Sequence, residues 1–144
     1  MADEIKDAKD GLQVRLETIS GLRVYDHFPS NINEFPCAVI GLSGRTASGP
    51  DGVALAGSSF IGLVTVTLLI AKAVDLEGMD EVVKYCEPLG ALSVEAAIDA
   101  DNSWNSQVDH GRLLRIENVG RKEVNAGWYW GADFVCDFTK QVLT

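Results

Sequence analysis

The sequence predicts an α+β domain in the order αβββααββ, a mostly antiparallel sheet of about five strands with helices packed on one face. Three observations carry that expectation. The most apolar stretch, Phe60 to Ala71, is rich in β-branched residues and apolar on both sides of a two-residue period, the pattern of a central strand. Near the C-terminus Trp128, Trp130, Ala132, Phe134, Cys136 and Phe138 occupy alternate positions while Asp133, Asp137 and Thr139 fall between them, which describes a half-buried strand. Ile5, Ala8, Leu12, Leu16 and Ile19 instead recur at three- and four-residue steps, giving one apolar stripe on a helix.

The first helix has Asp3 and Glu4 near its positive end, and Ser20-Gly21 stops it. Gly11 weakens it by about 1 kcal/mol relative to Ala. Leu22 to Tyr25 reads as a short strand, Asp26 to Phe35 as a connection, and Pro36 to Leu42 as a second strand opened by proline, where a missing donor does least harm. Gly44 to Gly57, with four glycines and Pro50, reads as a mobile hairpin loop longer than a turn requires, and such loops are commonly functional. The uncharged run from Gly52 to Ala71, roughly 20 residues, has the length of a membrane span, but Gly57, Ser58, Ser59 and the β-branched residues after them favour a loop followed by a strand. Leu76, Met79, Val83 and Cys86 keep helical spacing up to Pro88 and Gly90, and Ser93 suits the N-cap of a short helix ending at Asp99. Arg112 to Val119 reads as the fourth strand, with Leu114 and Ile116 on one side and Arg115 and Glu117 on the other.

A chain of 144 residues is one ordinary domain, and 47% hydrophobic with 23% charged residues is a globular composition. Its net charge of −9 disfavours tight binding to a phosphate backbone, which needs clustered cations. The acidic N-terminus carries no signal-peptide core, and Cys37, Cys86 and Cys136 suggest neither a disulfide framework nor a zinc site, so a reducing compartment fits.

No stretch of the sequence carries a specific catalytic or ligand-binding signature. Gly41-Leu42-Ser43-Gly44-Arg45 lacks the second glycine of a nucleophile elbow. Asp99-Ala100-Asp101-Asn102-Ser103 opens like a calcium loop and then fails, with Trp104 where glycine is needed and His110 where the bidentate glutamate belongs. His27 and His110, each beside an aspartate, read as surface residues, and the cysteines as inert buried thiols. The expectation is therefore no catalytic residue, no metal and no cofactor.

Several local motifs in this order resemble the tail terminator proteins of long-tailed bacteriophages, also known as tail completion or minor tail proteins: Ser20-Gly21-Leu22-Arg23-Val24-Tyr25, Pro36-Cys37-Ala38-Val39-Ile40, the long strand through Ile70, Pro88-Leu89-Gly90 before Ser93-Val94-Glu95-Ala96-Ala97-Ile98, and Gly127-Trp128-Tyr129-Trp130-Gly131-Ala132-Asp133-Phe134. The chain departs from that pattern at Asn102 to Ser106, where a Leu-Gly-Gly-like turn is expected. The resemblance implies a structural virion protein, assembled in the bacterial cytoplasm, forming a hexameric ring that caps the tail tube, stops its growth and meets the head–tail connector protein. DNA would then be passing cargo and no membrane is involved. A head–tail connector or stopper subunit is the nearest alternative, and a cytosolic α+β ligand-binding domain another. Within the ring reading, Arg45, Asp51, Val53 and Leu55 of the glycine-bearing loop are expected to contact a partner, and Trp104, Trp128 and Trp130 to line the oligomer interface, because aromatic residues are enriched at such surfaces.

Overall fold

The computed structural model describes residues 4–30, 32, 34–45, 59–72, 78–124 and 126–141. The chain runs through α1 (Glu4–Leu16), β1 (Arg23–Tyr25), β2 (Cys37–Arg45), β3 (Ser59–Lys72), α2 (Gly78–Cys86), α3 (Val94–Asp99), β4 (His110–Val124) and β5 (Gly127–Gln141). The element order is the expected one. The five strands form one sheet in the order β1-β2-β3-β5-β4, parallel between β1 and β2 and antiparallel elsewhere.

The apolar stretch Phe60 to Ala71 becomes β3, the middle strand, paired on both sides. Its even-numbered residues face the helices. Ile40, Val66, Phe134 and Ile116 form one cross-strand row on that side, and Ala8, Leu12 and Leu16 of α1, Val82 and Tyr85 of α2, and Val94, Ala97 and Ile98 of α3 close over it. Fully burying a side chain such as Val66 or Phe134 contributes about 1.5–3 kcal/mol, so this two-layer core is the main source of stability. Among the described residues no helix is long and apolar enough to cross a membrane.

Four local expectations are corrected. Strand β2 continues through Gly44 and Arg45, which pair with Leu63 and Gly62, because a bulge after Leu42 absorbs Ser43 and keeps the ladder in register. Strand β4 spans His110–Val124, longer at both ends than 112–119. Within it a bulge between Leu113 and Arg115 takes Leu114 out of the alternation, so Leu113 and Ile116 pack on the core while Leu114 is exposed. Helix α2 buries Gly78, Val82 and Tyr85 and leaves Val83 43% exposed, one position round from the expected stripe. Its rotation is set where Gly78 lies against the Trp130 ring, in space that any Cβ would fill.

Ser93 caps α3 as expected, its hydroxyl accepting the Ala96 N–H at 3.0 Å and donating to the Glu87 carbonyl at 2.6 Å. Gly11 has a structural reason. It faces the carbonyl oxygen of Trp104, and an added Cβ would overlap that atom. Helix propensity alone makes Gly11→Ala stabilising by about 1 kcal/mol. The packing predicts the opposite sign, a loss of about 1–3 kcal/mol on urea unfolding, and a stabilised Gly11→Ala variant would contradict this placement of the Trp104 turn.

Candidate assembly surface

The expected interface tryptophans separate into three environments. Trp104 is fully buried, its ring against Gly111 and tilted on Phe138 with centroids 5.7 Å apart, so it offers a neighbouring subunit no surface. Its position comes from a left-handed turn in which Trp104, Asn105 and Ser106 have φ of 44°, 58° and 64°. Alternation alone could not have located it. Its Nε1 is the one buried side-chain polar atom without a hydrogen-bond partner among the described residues. Trp130 is partly buried on the core beside Gly78. Trp128 is 50% exposed, the most exposed of the three.

Trp128 sits at the end of the β4–β5 hairpin, whose ladder closes at Val124 and Gly127 around Ala126 in the left-handed region with φ 65°. Glu123 lies directly across the ladder from it, and the Arg121 guanidinium stacks over the indole, 5.5 Å from the ring centroid. On the opposite face of the same hairpin, Asp133 accepts from Lys122 Nζ at 2.8 Å, Asn118 Nδ2 at 2.8 Å and Thr67 Oγ1 at 3.1 Å. The Lys122 and Asp133 side chains are each only 13% exposed, so this pair ties β4, β5 and β3 together where water competes weakly. Asn118, with φ 55°, and Gly120, with φ 132°, belong to the bulge between Glu117 and Gly120 that this carboxylate pins. Sequence reasoning missed Arg121, Lys122 and Asp133; the only signal was a basic cluster on a strand of an acidic chain.

Of the expected partner-contact residues, Arg45 closes β2, whereas Asp51, Val53 and Leu55 lie outside the described residues. A second surface feature lies where α1 passes β2. Ile5 and Leu42 form the apolar part of a groove of about 240 Å³, bordered by Lys6, Lys9, Asp10 and Asp26.

Asp101 and His27 have local partners. Asp101 accepts the Ser103 N–H and hydroxyl and the Asn105 N–H, and these hydrogen bonds, the Ser103 hydroxyl first, hold its carboxyl below the usual range. The calcium-like segment is thus an Asx turn. His27 Nδ1 lies 2.6 Å from Asp26 Oδ1 at the surface, which lowers the Asp26 pKa, and His110 is the exposed first residue of β4. Among the described residues no three His, Cys, Asp or Glu side chains come together to hold a metal ion.

No protein-family profile matches this chain, and no curated protein matches it significantly.

Burial raises the pKa of all three thiols, Cys37 to about 11, and Cys86 is the least buried of them. At pH 8 about one Cys37 side chain in a thousand is a thiolate. Alkylation of the folded protein should therefore modify Cys86 first, with Cys37 and Cys136 reacting only on unfolding. Mass spectrometry of the labelled peptides reads the order, and equal early labelling of Cys136 would contradict its place in the core.

Proposed function

We propose that this chain is a structural subunit of the tail-terminator type, forming a hexameric ring at the head-proximal end of a phage tail tube. In that position it stops tube growth and presents a surface to the head connector, and DNA passes through the ring as cargo. The observation that carries the reading is the Arg121–Trp128 pair held half exposed on a braced hairpin at one corner of the sheet. Trp and Arg are the residue types most concentrated among energetically dominant interface contacts, and here the subunit core does not use them.

The motifs behind the resemblance support the same reading, since they fall on frame-building positions. Gly21, with φ 81°, turns the chain into β1, Gly90, with φ 117°, turns it toward the Ser93 cap, and Gly127 to Phe134 opens β5. Each builds a fixed shape; none assembles reacting groups. The overall acidity suits a ring through which a polyanion must slide without sticking.

Native mass spectrometry together with light scattering tests this reading. A hexamer is the expected species, alone or seated on tail-tube protein. A chain that remains monomeric or dimeric in both settings would favour the ligand-binding alternative and contradict the ring.

A further inference from the structure

We propose that the ring contact is a knob in a groove: Trp128 of one copy seats in the groove between α1 and β2 of the next. The inference rests on the ring reading and adds to it the two surfaces that meet. The groove exists because Leu42 lies on the helix-facing side of β2 with Ala38 and Ile40, yet is 48% exposed where those two are fully buried. Beside it Ile5 is only partly covered, and about 240 Å³ between them accommodates one indole side chain.

The charges on the two sides match. Trp128 carries Arg121 stacked on its face and Glu123 across the ladder, a cation and an anion flanking an apolar ring. The groove carries Asp10 and Asp26 with Lys6 and Lys9 around an apolar floor. Arg121 can meet the carboxylates while Glu123 meets the ammonium groups. The groove's own contacts, Lys6 to Asp10 at 2.9 Å and Lys9 to the Asp26 carbonyl at 2.9 Å, are exposed, and exposed pairs of this kind exchange partners at little cost.

Position decides the type of contact. The sheet order places β2 toward one edge and the β4–β5 hairpin at the other. Along the strands Leu42 pairs with Val64, whereas β5 at Tyr129 pairs with Lys72 at the far end of β3. Knob and groove therefore lie apart on one subunit, both across the sheet and along its strands, so a copy that uses its knob still has its own groove to offer. Such head-to-tail contact builds a ring when the rotation closes. A second copy is thus the occupant that the pairing of charges selects.

Sedimentation velocity on Trp128→Ala, Leu42→Arg and their equimolar mixture tests the proposal, with thermal unfolding as the control that both variants are folded. Each variant alone should lose self-association by at least about thirtyfold. Mixed, they should form a dimer and stop there, because one supplies only a knob and the other only a groove. If both folded variants assemble like the wild type, the knob-in-groove contact is overturned and the ring reading stands. Variants that stay monomeric when mixed, under conditions in which the wild type assembles, also overturn the pairing, and a wild type that stays monomeric both alone and with tail-tube protein overturns both.

Discussion

A column of aromatic rings inside the helix-facing layer fixes how the rest of the subunit comes together. Phe60 of β3 meets Phe138 of β5 edge-on at 5.8 Å, Phe138 meets Trp104 at 5.7 Å, and the Trp104 ring lies on Gly111 of β4. Gly62 leaves room for Phe138, and Gly11 lets α1 pass against the Trp104 backbone. Trp104 thus joins the first helix, through its carbonyl, to the last two strands, through its ring, far apart in sequence. Three successive left-handed residues hold it there at about 1–2 kcal/mol each, and the Asp101 carboxylate and the burial of the ring offset that cost.

The opposite face of the sheet combines a small apolar cluster around Ile32, Cys37 and Leu69 with polar contacts. Asp133, with Lys122, Asn118 and Thr67, holds the hairpin against β3, and losing one member of the Lys122–Asp133 pair would cost on the order of a few kcal/mol. Edge strand β4 is interrupted by two bulges, and the other edge, β1, is only three residues long. Both features discourage indiscriminate strand addition. The proposed ring contact accordingly uses side chains and not an open strand edge.

Much of the frame was legible in the sequence because single periods dominate it. Strand β3 is apolar on both faces and β5 alternates apolar with polar residues over most of its length, and Ser93 announces its helix. Legibility failed where two patterns compete. In α2 both Met79-Val83-Cys86 and Val82-Tyr85 keep helical spacing, and only the meeting of Gly78 with Trp130 selects the second. Bulges in β4 displace Leu114 without any change of composition. Trp128 shares the parity of buried Phe134 and Phe138 yet is half exposed near the hairpin end, while Trp104 reads as a loop residue yet is fully buried in the core. The groove at Ile5 and Leu42 depends on where α1 begins relative to β2, a tertiary fact with no local signal.

An inner aromatic set folds the chain, and a separate outer residue, Trp128, is the one proposed to join copies of it. Hydrogen–deuterium exchange compared between dilute and assembled protein tests that separation most directly. New protection should appear together at 121–130 and at 5–10 with Leu42, while 104–111 exchanges slowly in both states. Assembly that leaves both corners exchanging as in the dilute protein, or that newly protects the Trp104 turn, would contradict it.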